Sequence, residues 1–332
     1  MLVASVLSLK GGVGKTTVTL GLASAAVARG IDTVLVDLDP QLNATATVAP
    51  DWIAELSQRA LADIEPIDRT GKSGAKGSGK DRAGKGAAGK NNGSKNGGRS
   101  RGAAIGHTDA DTAPGLVPVS VADVLDAHSD KAIAKAVNRA VRPAEWEPLR
   151  LLPGSEATEA HNHPDPSTKR LRRLAVALAA LDPQPELVLI DCPPSLGQLT
   201  RSALVASDRA VLVTEPSLFA VTGVQRALEA VQAERTAHHP GLQPLGVVIN
   251  RFRPRVSEHE YRLAELRDLF GPLVLSPVLP DRSAVQQAQG AAVPIHQWPT
   301  AGAREIAQSF DALLDRLMRA QRTKSRPALA SV

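Results

Sequence analysis

Apolar positions along the chain fall into short unbroken runs separated by longer amphipathic stretches. Leu2–Leu9, Thr33–Asp37, Leu187–Ile190, Ala210–Thr214, Leu245–Ile249 and Leu273–Leu279 are brief runs dominated by Val, Ile, Leu and Ala. Runs of this length without polar alternation predict strands buried on both faces. Thr16–Arg29, Arg170–Leu181 and Val221–Arg235 have helical character, and Gly30 stands where the first of them needs a C-cap. Strand, glycine loop, helix and strand over residues 2–37 make a βαβ unit, which implies parallel pairing and a right-handed crossover. Repetition of βα segments predicts an α/β fold: a single doubly wound, mostly parallel sheet with helices on both faces.

The pattern breaks once, from about Arg69 to Gly106. Eleven of the 26 glycines lie between Gly71 and Gly102, mixed with Lys, Ser, Asn and Ala. Such a stretch buries almost nothing apolar, so composition predicts a disordered basic insert. The expected organisation is therefore one domain in two parts, 1–68 and 107–320, an insert at 69–106, and a basic tail at 321–332. Between Arg69 and Arg101 ten Lys/Arg face one acid, Asp81, while the whole chain is only +5. The high pI belongs to the insert, and the rest of the chain is net acidic. Two readings of the insert stand: a loop insertion tolerated because closure entropy grows slowly with length, or a tether that lingers on phosphate backbones.

Composition removes several classes of function. Aromatic residues are 2% of the chain, which argues against a single-strand binder that stacks bases on rings. No apolar run reaches the roughly 18–20 residues needed to span a bilayer, so no stable membrane insertion is expected. Met1–Leu9 lacks a basic leader and runs straight into glycines, so it reads as a buried strand, not a secretion signal. A single cysteine, Cys192, allows neither an intramolecular disulfide nor a cysteine metal cage; it reads as a small buried residue. His161 and His163 lack further spaced ligands for a metal. The expected location is cytoplasmic.

The chemistry lies at Lys10-Gly11-Gly12-Val13-Gly14-Lys15-Thr16-Thr17. A loop that cradles phosphates needs glycines, so that backbone N–H groups can approach the anion, and a helix N-terminus behind it. Gly11, Gly12 and Gly14 meet the first need, and the helix from Lys15 meets the second. Lys15 is placed to reach the β/γ-phosphates and the Thr16 hydroxyl to ligate Mg²⁺. The pattern G-x-x-x-x-G-K-[ST] fails at its first glycine, where Leu9 stands, and a second lysine, Lys10, opens the loop instead.

That departure resembles the deviant Walker A loop, K-G-G-x-G-K-[ST], of the ParA/MinD family of P-loop ATPases. Asp37-Leu38-Asp39-Pro40-Gln41 is similar to the family's D-x-D-P-Q motif, and Leu187–Gly197 to its Walker B strand and following loop. The resemblance covers roughly 1–55 and 116–320. It implies a P-loop NTPase of the deviant Walker A class with ATP and Mg²⁺ as cofactors. Lys15, Lys10 and Asp39 would be catalytic, with Asp39 orienting the attacking water and Asp37 supporting loop geometry. Gly11 through Thr17, with Val13 and Thr17 included, would bind the nucleotide, and Asn250 would meet the adenine. Thr16 and, through water, Asp191 would hold the metal. Lys10 would reach the nucleotide of a second subunit, so ATP would close a homodimer. Leu42 stands where the common family form has glycine, and Glu215 where many relatives carry glutamine.

The function this implies is an ATPase switch of the ParA type, nucleoid-associated, that binds duplex DNA without sequence preference. It would partition a chromosome or plasmid through a ParB-like adaptor protein. Arg251, Arg253, Arg255 and Arg262 form a candidate DNA-facing group, or else a solvated face. No helix-turn-helix precedes the first strand, so operator recognition is not expected. A MinD-like membrane switch and a metabolic P-loop enzyme are the alternatives. Asp311 and Asp315 on the amphipathic Phe310–Met318 stretch disfavour an anionic membrane surface, and a lone cysteine disfavours an iron–sulfur member.

Overall fold

Among the described residues of the computed structural model, seven strands form one sheet in the order β3-β4-β2-β5-β1-β6-β7. They are β1 (Leu2–Leu7), β2 (Thr33–Asp37), β3 (Arg142–Pro143), β4 (Arg150–Leu152), β5 (Leu187–Asp191), β6 (Arg209–Thr214) and β7 (Gln243–Ile249). All neighbours pair in parallel except the edge pair β3–β4. The structure describes residues 1–55 and 119–322. The insert expected at 69–106 and the tail beyond Arg322 lie outside the described residues.

Side-chain alternation along the strands divides the core in two. Ala4 and Val6 of β1, Leu35 of β2, Leu187 and Leu189 of β5 and Val211 and Val213 of β6 face one way. They pack on α1 (Lys15–Ala28) and the last helix, Ala301–Arg322. Val3 and Leu7, Val34 and Val36, Val188 and Ile190, and Ala210 and Leu212 face the other way. Helices Val121–Asp126, Asp130–Ala140, Thr168–Ala179, Gln198–Ala206, Ala220–Ala237 and Ser257–Phe270 cover that side. Both faces are dry, as a parallel sheet requires. The doubly wound architecture expected from the periodicity is the one observed.

The expected strand at Leu273–Leu279 does not form. After a short 3-10 turn at Gly271–Leu273 the chain runs beside β7 with one isolated bridge, Val247–Val274. Leu275 N–H and Leu279 N–H donate to Val247 and Ile249, each at 2.8 Å. Pro277 and Pro280 have no N–H to continue a ladder. The short strands β3 and β4, by contrast, gave no periodic signal long enough to read.

Topology places the site. β1, β2 and β5 end side by side, with Asp37 of β2 in register with Asp191 of β5 and Val6 of β1 also opposite Asp191. The carboxyl ends of central strands are where open α/β sheets bind ligands. α1 is held there from behind by the last helix, whose Phe310 is fully buried among α1 and the sheet. A Cβ on Gly21 would overlap the Phe310 ring, so the ring lies flush on α1 because residue 21 has no side chain.

Phe310→Ala is expected to cost about 3–5 kcal/mol of stability, and Gly21→Ala about 1–3 kcal/mol through overpacking. In the double variant the new methyl enters the vacated ring space, so the combined loss is smaller than the sum. Urea denaturation of the four proteins checks this; simple additivity would show that the two positions do not share one packing site.

Candidate active site

β1 ends at Leu7, and the chain turns through Ser8–Gly14 into α1, which starts at Lys15. Gly12 (φ 79°) and Gly14 (φ 88°) occupy the left-handed region that side chains avoid. A Cβ on Gly14 would overlap the Asn250 amide, whose Nδ2 donates to the Val13 carbonyl at 2.8 Å. Asn250 is 2% exposed, so here it props the loop from behind. Val13 is buried, and the exposed glycines and the first turn of α1 line a cavity of about 520 Å³. Gly11, Gly12, Gly14, Lys15, Thr16 and Thr17 contribute to it, together with Asp39, Gln41, Asn43, Pro194, Arg251 and Gln289. Loop amides and the α1 N-terminus make this an anion site.

Three carboxylates gather at the strand ends. Asp191 is fully buried: its Oδ2 accepts from Thr16 Oγ1 at 2.6 Å and its Oδ1 from Thr19 Oγ1 at 3.0 Å. Burial pushes its carboxyl above the ordinary range, and the neighbouring Asp37 adds to that, against the pull of Thr16, Thr19 and Lys15. Asp37 is also raised by burial, opposed by hydrogen bonds from the Thr45 N–H and hydroxyl and from the Asp39 N–H. The Thr45 bonds to Asp37 Oδ2 are 2.8 and 2.7 Å, so Asp37 organises the turn after β2. Asp39 is buried but lines the cavity, its Oδ1 accepting from the Gln41 N–H at 3.1 Å. Lys15, buried at the base of α1, is the ammonium that faces this group.

The donor set fits a hard divalent cation. The Thr16 hydroxyl and the Asp191 carboxyl are adjacent oxygen ligands, and a cation there would favour the ionised form that burial disfavours. Thr16 and Asp191 are the residues that would hold Mg²⁺ beside the phosphates.

Lys10 behaves differently from Lys15. Its Nζ pairs with Glu215 Oε1 at 2.6 Å and reaches Ser217 Oγ at 3.4 Å. It is absent from the cavity lining, and its side chain is 43% exposed against 27% for Glu215. Leu42, at the position where glycine is common, has φ 60°; the left-handed turn is kept although a leucine occupies it.

The four arginines of the candidate DNA-facing group have different partners. Arg253 pairs with Asp281 at 2.6 Å, and Arg262 with Glu258 and Glu265 along its own helix at 2.7 and 3.0 Å. Arg255 is exposed, and Arg251 turns back onto the phosphate loop. Cys192 is buried and its thiol is pushed up by burial. His161 is buried against Asp126 at 3.5 Å, and burial lowers its pKa. Thr19 and Thr45, which pin the two buried carboxylates, were not singled out from the sequence. Thr19 lies three residues after Thr16, hence on the same helix face; that spacing is the signal that could have found it. Thr45 carries no comparable mark.

A family model described as the CobQ/CobB/MinD/ParA nucleotide binding domain matches residues 4–295. The chromosome partitioning protein ParA of Caulobacter vibrioides is 26% identical over 293 residues, which is 88% of this chain and 85% of that protein. Among solved structures, cobyrinic acid a,c-diamide synthase from Mycobacterium smegmatis with bound ADP and magnesium superposes with a TM-score of 0.62 at 22% identity, covering 98% of this chain and 96% of that one. Apo McdA from Cyanothece gives a TM-score of 0.64 at 17% identity, covering 96% and 99%. The solved structures share the fold, and the family model spans the phosphate loop, both aspartate motifs and Asn250. The chain belongs to the CobQ/CobB/MinD/ParA family of nucleotide-binding P-loop ATPases.

Proposed function

We propose that the chain is a ParA-type switch that pairs with a second copy when ATP is bound, holds duplex DNA in that state, and lets go on hydrolysis. The observation that carries this is the division of labour between two lysines on one loop. Lys15 is buried in the phosphate cavity, whereas Lys10 stands outside it, held by Glu215. A lysine at the rim can serve a phosphate that arrives with another subunit, and a terminal phosphate at a desolvated interface rewards that second cation more than ADP does. The similarity to a chromosome partitioning protein, 26% identity over 88% of this chain, supports the cargo class. A ParB-like adaptor is the partner this reading calls for.

In the proposed cycle the loop amides and the α1 N-terminus bind the phosphates, and Lys15 offsets their charge. Bound Mg²⁺, held from the Thr16 and Asp191 side, would supply further charge neutralisation on the phosphate oxygens. Asp39, at the cavity wall and fixed by Gln41 and Asp37, orients the attacking water and takes its proton. The membrane alternative loses its helix: Phe310, Leu313, Leu314 and Leu317 are buried in the core and not available to lipid. No described helix is long and apolar enough to cross a membrane.

Purified full-length protein should bind a random-sequence duplex with ATP, and about 10-fold or more weakly with ADP or when Lys10→Ala is tested with ATP. Equal binding in all three states would sink the dimer-switch reading. Asp39→Ala should keep nucleotide affinity while kcat for ATP hydrolysis falls by about 10²–10⁴-fold; undiminished turnover would remove Asp39 from the mechanism. Glu215→Gln frees Lys10 from a partly exposed ion pair, so ATP-dependent self-association should strengthen by about 2–5-fold. Sedimentation velocity reads that shift, and weaker association would show that Glu215 helps the paired state instead.

A further inference from the structure

Arg251 follows the end of β7 and Asn250, and its backbone has φ 54°. Residues with a Cβ avoid this region, and such strain persists only where the surroundings impose it, often at ligand clamps. The effect here is to turn the side chain away from the neighbouring arginines and back to the phosphate loop. Its Nη1 donates to the Gly12 carbonyl at 2.6 Å. Arg251 lines the phosphate cavity and also a smaller adjoining cavity of about 60 Å³, which it shares with Thr17, Asn250, Asp281 and Gln289. It forms no ion pair with a carboxylate among the described residues, unlike Arg253 and Arg262.

We infer that Arg251 is a nucleotide-binding residue whose guanidinium contacts the phosphates of a bound nucleoside di- or triphosphate. A guanidinium has five N–H donors in a rigid fork, and the Gly12 carbonyl uses only one nitrogen. The others remain for an anion, and an unpaired cation anchored beside a ring of loop amides is completed by a phosphate. Contact with the Gly12 carbonyl also ties the cation to the loop, so cation and amides address one anion together. This assignment removes Arg251 from the candidate DNA-facing group and rests on nucleotide binding by the family.

The test is equilibrium titration of the full chain with ADP, ATP and adenosine, using wild type, Arg251→Gln, Arg251→Lys and the control Arg253→Gln. Gln is polar but shorter and uncharged, so Arg251→Gln should weaken ADP and ATP by about 10-fold or more and leave adenosine unchanged. Arg251→Lys should fall between, and Arg253→Gln should match wild type. Thermal unfolding without nucleotide should be the same for all four, which separates lost contact from lost fold. Wild-type affinity for ADP and ATP in Arg251→Gln would overturn the assignment, leaving the residue a support for Gly12. An equal loss for adenosine would overturn it too, by placing the contact on the nucleoside. Failure of the wild type to bind either nucleotide would overturn the family reading and this inference together, and that arm is read before any variant.

Discussion

Negative charge buried at the ends of β2 and β5 is the constraint around which the site is arranged. Asp37, Asp39 and Asp191 are all buried, and one buried ammonium, Lys15, stands among them. Isolated buried carboxylates are costly, so each must be met by donors or by charge. Thr45 and the Asp39 amide meet Asp37, Thr16 and Thr19 meet Asp191, and the Gln41 amide meets Asp39. One set of bonds fixes the turn after β2, a second ties the first two turns of α1 to the end of β5, and the β2–β5 ladder joins the two. The phosphate cavity inherits its shape from that network.

The same constraint ties ligand binding to stability. A carboxyl whose pKa is raised on folding favours the folded chain while protonated, and that contribution is lost as pH climbs through the raised value. Asp37 and Asp191 are both of this kind, raised mainly by burial. Above that range the buried acids are ionised, with one buried ammonium, Lys15, among them. By mass action, whatever binds only the folded chain stabilises it.

What could be read from the sequence was whatever depends on local spacing. The buried strands, the phosphate loop and both aspartate motifs are contiguous segments whose residue types state their chemistry, and α1 follows from the loop. What escaped depends on chain segments meeting in space. Thr45 reaches Asp37 through a turn, Glu215 meets Lys10 across more than two hundred residues of sequence, and Arg251, from a left-handed backbone, meets Gly12 across a similar distance. Arg251 and Arg253 are two residues apart and end in different places, one on the loop and one on Asp281. Neighbours in sequence can thus take different partners. The Leu273–Leu279 error has a simpler cause: hydrophobic pattern reports burial, and a proline-interrupted segment can be buried against β7 without joining the ladder.

Loop glycines and loop lysines then divide the work in a way the strand order makes possible. β6 lies directly beside β1, with Leu212 opposite Leu7, so the residues just past each strand come together. Lys10 and Glu215 are those residues, and their pairing follows from the register. β5 lies on the other side of β1, which brings Asp191 to Thr16. One strand thus feeds a loop whose first lysine leans toward β6 and whose helix leans toward β5. Separation of the two cations follows from this topology: Lys15 is committed to the phosphate cavity by burial, while Lys10 is held at the rim by a single, partly exposed acid. An exposed pair of this kind is worth little in water, so breaking it would leave undisturbed the buried bonds that hold the cavity together.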